Sequence, residues 1–503
     1  MQTNVLEYLE QTLPRVPEKI AFADDNMQFT FGQVSQYARA IGTALHRDEL
    51  YGEPVVVFME KSPAAITAFF GVIYAGCYYV PLDVEMPAFR IEMILEQLKP
   101  RAVICDAVTQ PQLASFGYHG RSYLFDEMIT TAADDDALSQ IRRKQLDIDP
   151  IYIVFTSGST GVPKGILACH RSVIDYIENL SETLGFNEDT VFGNQTPLYF
   201  DACLKELYPT LKFGGTTWLV PKSCFSFPIQ LVEYLNAHKI NTICWVVSAL
   251  TMISATGTFN TVKPETLHTI AFGSEVFPVK QFKRWREVLP NAEFTNLYGP
   301  TEATGMSCYY HVNREFEDTY AIPIGRPFRN TGILLLNEND EEAAFGEPGE
   351  ICIRGTCLTM GYFGQPDKTA EVFTQNPVQK RFPELIYRTG DIAHYNADGD
   401  LVFVSRKDYQ IKHMGHRIEL GEIEINCGLY DGVEAVGCIY DKAKGKIVLF
   451  YTGTVEKAEL AAYLKQRLPR YMQPNKIRQL EEMPHTPNGK LDRKALTAVY
   501  EGE

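Results

Sequence analysis

The sequence predicts a layered α/β protein: a large N-terminal core of several sheets and helices, followed by a small α+β domain. Three observations carry that reading. At 503 residues the chain exceeds one ordinary core and, at roughly 150 residues per domain, allows about three folding units. Apolar strand-like runs at 55–58, 102–105, 151–155 and 216–220 alternate with helical patterns at 31–46 and 63–75. Near the other end, strand-like runs at 401–404, 410–412, 436–440 and 447–451 interleave with helical stretches at 419–427 and 455–467.

Between these regions Arg406, Lys407 and Asp408 follow a turn sequence, Asn396-Ala397-Asp398-Gly399-Asp400. The boundary is placed there, giving a core over 1–407 and a C-terminal domain over 408–503. Residues 64–82 are nearly uncharged, but Gly71, Gly76 and Pro81 punctuate them, which predicts a buried helix running into a core strand rather than a membrane span. The N-terminus has no basic region followed by an apolar run, so no secretory signal is expected.

With 45% hydrophobic and 22% charged residues, the chain can bury a sizeable core. Its balance of 47 basic against 63 acidic residues, −16, excludes broad nucleic-acid binding, and an anionic ligand would need a local cationic pocket. Eleven cysteines, scattered without a CxxC pair, indicate neither a zinc framework nor a disulfide scaffold and fit a reducing cytoplasm.

One stretch carries chemistry on its face. Thr156-Ser157-Gly158-Ser159-Thr160-Gly161-Val162-Pro163-Lys164-Gly165 lies between two apolar runs, 151–155 and 166–168, and is read as the loop joining two strands. Glycines let backbone amides converge, hydroxyls add donors and Lys164 adds a cation, which are the parts of an anion-binding nest. The G-x-x-x-x-G-K-[ST] spacing is absent, so this is not a Walker loop. On spacing alone, a plain flexible turn stays open as the alternative.

That loop resembles the signature of the adenylate-forming superfamily. Further motifs follow in order: Phe200-Asp201-Ala202, Asn296-Leu297-Tyr298-Gly299-Pro300-Thr301-Glu302, Gly349-Glu350-Ile351, Tyr387-Arg388-Thr389-Gly390-Asp391, Arg406 to Lys412, Gly415 to Glu424 and Asn488-Gly489-Lys490-Leu491-Asp492-Arg493. Together they resemble amino-acid adenylation domains of nonribosomal peptide synthetases and the related stand-alone D-alanine–carrier-protein ligases, over almost the whole chain.

The resemblance implies ATP and Mg2+ as cofactors and assigns roles. Thr156, Ser157, Gly158, Ser159, Thr160, Gly161 and Lys164 would cradle phosphates, with Asn296, Tyr298, Asp391 and Arg406 completing the ATP site. Tyr298 would stack on adenine, and Asp391 and Arg406 would contact ribose. Lys490 would bridge carboxylate and nucleotide, Thr301 would contact phosphate, and Glu302 would hold the metal, as a hard carboxylate suits magnesium. Asp408 would be the hinge of a mobile C-terminal domain, and Gly415 would line the path of a pantetheine arm. Taken singly, each has a plainer explanation: a surface lysine in an Asn-Gly turn, or an incidental acid beside a Gly-Pro turn.

The resemblance also maps a substrate pocket onto Asp201, Ala202, Lys205, Cys244, Ala271, Gly273, Leu297, Gly305, Met306 and Lys490. Asp201 matches the position that pairs with the α-ammonium of an amino acid. Lys205, a cation at a buried position, would seek an anionic group, and the Asp-Ala-Lys start resembles codes for glutamate. A substrate with an acidic side chain is the leading expectation, although Lys205 could instead turn outward or pair with Glu206. A D-alanine or other small amino-acid ligase, an acyl-CoA synthetase or aryl-acid enzyme, and a silent nucleotide-binding scaffold are the alternatives. The expected partner is a carrier protein with a phosphopantetheine arm. No carrier sequence follows Arg493, so the carrier would act in trans or the chain is a piece of a longer synthetase.

Overall fold

The computed structural model describes residues 2–158, 161–318, 320–485 and 491–502. Within them, two large sheets dominate. One has six strands, in the order Arg121–Leu124, Ala102–Cys105, Pro54–Phe58, Tyr78–Pro81, Pro150–Thr156, Lys164–Cys169. The first five run parallel, joined by helical crossovers, and the last pair is antiparallel. The other has nine strands and is parallel through its centre, where Thr242–Val246, Thr269–Gly273 and Glu293–Tyr298 lie side by side. Every residue of the middle one of these three strands is buried, as strands covered on both faces require.

Local chemistry sets the helix starts. Thr30 and Gln33 form a reciprocal capping box at the head of Phe31–Arg47, with the Gln33 amide donating to Thr30 Oγ1 at 3.2 Å and the Thr30 amide to Gln33 Oε1 at 2.9 Å. Ser62 caps Pro63–Tyr74, with proline in its first turn. All twelve residues of that helix are buried, which explains why it is apolar all round. Its twelve residues span ~18 Å, short of a bilayer core. Among the described residues, no helix is long and apolar enough to cross a membrane.

A five-stranded antiparallel sheet follows, ending in Leu401–Arg406. Beyond it stand a hairpin, Gln410–His413 with His416–Glu419, and a three-stranded sheet of Val433–Asp441, Lys446–Gly453 and Lys476–Gln479. These last elements build their own apolar clusters, one around Ile423, Leu449 and Leu464 and another around Val448, Phe450 and Leu496. The hairpin nevertheless points its turn at the core. That turn is what completes the site.

Candidate active site

The chemistry-bearing residues converge where the carboxyl ends of the large sheets meet the Gln410–Glu419 hairpin. A cleft continuous with solvent, enclosing about 100 Å³, is lined by Thr156, Ser157, Asp201, Thr301, Asp391 and Arg417 among others.

The glycine-rich stretch is a hairpin connection, as expected: Pro150–Thr156 pairs antiparallel with Lys164–Cys169. Ser159 and Thr160 lie outside the described residues. Gly158 must be glycine because a Cβ there would fall 2.0 Å from the Val162 carbonyl oxygen. Its amide donates to Glu422 Oε2 at 3.1 Å, so the loop is holding a carboxylate. Ser157 Oγ donates to the Arg417 carbonyl at 2.9 Å. Lys164 places Nζ 5.4 Å over the Tyr362 ring, and burial, then the nearby Arg417, lower its pKa. Gly161 faces Ile425 of the helix Leu420–Gly428.

Glu302 is fully buried. Its Oε1 accepts from the Tyr362 hydroxyl at 2.8 Å and its Oε2 from Arg417 at 2.7 Å. Burial opposes ionisation, but Arg417 and Tyr362 outweigh it and hold the carboxyl below its usual range. Magnesium is commonly held by one or two carboxylates plus substrate phosphates, and Glu302 fits that donor type once Arg417 withdraws. Neighbouring Thr301 donates to Asp201 Oδ1 at 3.2 Å.

Asp391 Oδ2 accepts from the Tyr298 hydroxyl at 2.6 Å and Oδ1 from Arg406 at 2.5 Å. Arg406 also grips Asp408 through Nε at 2.7 Å and Nη2 at 2.8 Å, so the expected hinge residue is clipped to the core. The Tyr298 ring carries Lys412 Nζ at 5.6 Å, a cation on a face a purine would use. Asn296 stands back from these groups: its amide nitrogen donates to the Pro323 carbonyl at 2.8 Å and fixes that loop.

Asp201 sits in a short 3-10 turn, Asp201–Cys203, that leads into the helix Leu204–Phe213. Its Oδ2 accepts the Gly305 amide at 3.1 Å. Burial raises its pKa, while Lys205, Thr301 and the Gly305 amide pull the other way. Ala202, Gly305 and Met306 share the cleft wall, and the Tyr176 ring packs beneath Gly305. Cys244, Ala271, Leu297 and Met306 fall in one apolar cluster with Tyr152 and Tyr176, brought there by the register Cys244↔Ala271 and Gly273↔Leu297. Lys205 does not turn outward. It is 4% exposed, lies in the fields of both Asp201 and Glu206, and among the described residues forms no ion pair with either. Lys490 lies outside the described residues.

Gly415 adopts φ +80°, and a Cβ there would come within 2.5 Å of Val246 Cγ1. Its amide donates to Glu275 Oε1 at 3.0 Å, while Glu275 Oε2 accepts the Ser248 amide at 2.8 Å. Several groups in or next to the cleft had no role assigned from the sequence. Arg417, Lys412 and Glu422 stood inside the quoted motifs without an assigned role. Arg90, which ion-pairs with Glu422 in a fully buried setting, had no local signal at all, since its partner is 332 residues away.

Fold and cleft together define an adenylate-forming ligase. Residues 9–363 match the family described as AMP-binding enzyme, and the chain belongs to that family. Tyrocidine synthase 1 of Brevibacillus parabrevis is 30% identical across 98% of this chain, which spans 45% of that protein's length. A solved NRPS protein containing adenylation and PCP domains, bound to a vinylsulfonamide inhibitor, superposes with a TM-score of 0.85 at 25% identity, over 99% of this chain and 84% of that one. The adenylation domain AlmE of Vibrio cholerae, in complex with glycyl-adenosine-5′-phosphate, gives a TM-score of 0.86 at 21% identity, covering 100% and 98% of the two chains. The fold is therefore that of an adenylation domain.

Proposed function

We propose that the protein activates an amino acid with an acidic side chain, then passes it to the thiol of a carrier protein's phosphopantetheine arm. In the first step a substrate carboxylate oxygen attacks the α-phosphorus of ATP and pyrophosphate leaves. In the second the thiol sulfur attacks the acyl carbon and AMP leaves. Asp201 carries the amino-acid part of the reading: it is a buried carboxylate at the cleft wall, fixed by Thr301 and the Gly305 amide, and a substrate ammonium supplies the counter-charge it lacks. The loop 156–164 binds phosphates, Asp391 accepts from the ribose, and Lys490 contacts the carboxylate and phosphate. Glu302 would hold Mg2+, which supplies positive charge to the phosphate oxygens.

Lys205 supports the acidic side chain. The substrate ammonium claims Asp201, which leaves Lys205 and Lys61 to share Glu206 in a buried setting. A side-chain carboxylate restores the balance. One observation favours a second reading, a small amino acid: Tyr176 packs so closely on Gly305 that a Cβ there would fall 2.6 Å from its ring, which leaves no slack behind the wall formed by Ala202, Gly305 and Met306.

The C-terminal part from Asp408 is the proposed mobile domain, turning about that residue between the two steps. All eleven cysteines are free, which suits the reducing cytoplasm we assign to it. Pyrophosphate exchange over all amino acids in both configurations, with aryl acids included, tests the substrate class. A response to aryl acids alone overturns the role of Asp201. Lys490→Ala should abolish adenylate formation and spare ATP binding, and undiminished adenylation by that variant would refute the lysine's assignment.

A further inference from the structure

Behind the cleft wall lies a polar layer that the proposed reaction does not use. Glu206 is fully buried; its Oε2 accepts from Asn194 Nδ2 at 3.2 Å, and its Oε1 has no partner among the described residues. A buried carboxylate oxygen left without a donor is costly, and needs a cation close by. Two stand near. Lys61 donates to the carbonyls of Asn194 at 3.0 Å and Gln195 at 3.2 Å, and lies in the field of Glu206. Lys205, next to Glu206 in the helix Leu204–Phe213, is the other.

The geometry points to Glu206 as a specificity-determining residue: its buried carboxylate, with one oxygen unpartnered among the described residues, is the internal competitor with which a substrate's side-chain carboxylate contends for Lys205. This rests on the acidic-substrate reading above and adds how discrimination is set. Without a substrate acid, Glu206 and Lys205 offset one another through the field alone, without a direct ion pair. With a neutral side chain in the pocket, that balance persists and nothing is gained. With an acid, Lys205 turns to the substrate and Glu206 falls back on Lys61, which is anchored on the two carbonyls and cannot follow the substrate. Burial supports such an exchange energetically: it pushes the Glu206 carboxyl up to about 7 and the Lys61 ammonium down to about 8, so neither charge is held tightly. Lys61 also ties down Gln195, which lines the cleft, so the same lysine links the polar layer to the pocket wall.

The test compares kcat/KM for glutamate and for glutamine, in pyrophosphate exchange by the full chain. Glu206→Gln keeps the shape and the Asn194 contact but removes the competing charge. The glutamate:glutamine ratio should rise about tenfold, the worth of one charge-assisted contact. Lys61→Met has the opposite sign: Glu206 then has only Lys205, and the ratio should fall several-fold. Lys205→Met should collapse the ratio toward unity. A ratio unmoved or lowered by Glu206→Gln, with Lys205→Met still collapsing it, overturns the competitor role alone. A ratio unmoved by Lys205→Met overturns the acidic-substrate reading, and the inference with it. Should Glu206→Gln fail to fold, the direction of change in Lys61→Met decides: a fall supports the competitor role and no fall refutes it.

Discussion

Arg417 Nη1 lies 2.7 Å from Glu302 Oε2, so a guanidinium from the C-terminal hairpin occupies the carboxylate expected to hold magnesium. Glu422, from the next helix, takes the Gly158 amide in the loop expected to hold phosphate. Both contacts use groups of opposite sign to those they meet. A magnesium ion at Glu302 and Arg417 on the same carboxylate repel one another, and a phosphate and Glu422 cannot share one amide proton. Adding Mg2+ and pyrophosphate should therefore loosen the hairpin. Hydrogen exchange of the amides at 410–419 is expected to speed up at least several-fold, and unchanged protection would count against the competition.

Arg417→Ala removes the hairpin's charged anchor while leaving the phosphate loop intact. Carrier loading is expected to fall roughly tenfold or more, the scale of a charge-assisted hydrogen bond, with pyrophosphate exchange changed only a few-fold. Equal loss in both half-reactions would place Arg417 in the first step instead.

Gly415→Ala confronts a Cβ with Val246 at 2.5 Å, at a φ of +80° that side chains rarely adopt. The docked hairpin cannot absorb both. Transfer to the carrier thiol should be lost while adenylate formation persists, which a comparison of pyrophosphate exchange with radiolabelled carrier loading reads directly. Normal loading by this variant would show that the turn has room to spare.

Asp201→Ala strips the proposed ammonium partner. One charge-assisted contact is worth roughly 1.5–3 kcal/mol, so kcat/KM for the amino acid should fall on the order of 100-fold. The des-amino acid, which brings no ammonium, should be affected much less. Equal losses for both would mean that Asp201 only shapes the wall, through Thr301 and Gly305.

His416 gives the docked hairpin a pH dependence. Its ring stacks on Tyr471 at 3.8 Å and meets Phe200 edge-on at 5.1 Å. Burial, with His413 and Lys222 nearby, pushes its pKa down to about 4. The folded pKa is thus below the unfolded value of about 6.5, so the unfolded form binds more protons between them. Stability is complete above about pH 6.5 and declines as the pH falls toward 4. Between pH 7 and pH 5 the decline should be about 2 kcal/mol. Urea unfolding at the two pH values checks it, and His416→Phe should flatten that part of the dependence.

The sequence was legible where the signal is local. The helical patterns at 31–46 and 63–75 and the apolar run at 151–155 are decided by neighbours within one or two turns, and the helices Phe31–Arg47 and Pro63–Tyr74 and the strand Pro150–Thr156 stand where those patterns placed them. The phosphate-type loop was legible as a connection between strands for the same reason. Lys61 was not, because a lysine before a Ser-Pro helix start looks like a surface residue until Asn194 and Gln195 fold over it. Lys205 was legible as a buried cation and Glu206 as a candidate partner, but that both would be buried without an ion pair between them was not, because burial is set by the packing of the whole helix Leu204–Phe213.

By itself, then, the sequence determined the order of strands and helices, the loop at 156–165 and the family to which the chain belongs. Only the tertiary structure decided which charges meet. Coulomb energies depend on separation and burial, and Arg90 reaches Glu422 across 332 residues, as Arg417 reaches Glu302 across 115. No local pattern encodes those distances; they exist only once the sheets have brought the hairpin against the cleft.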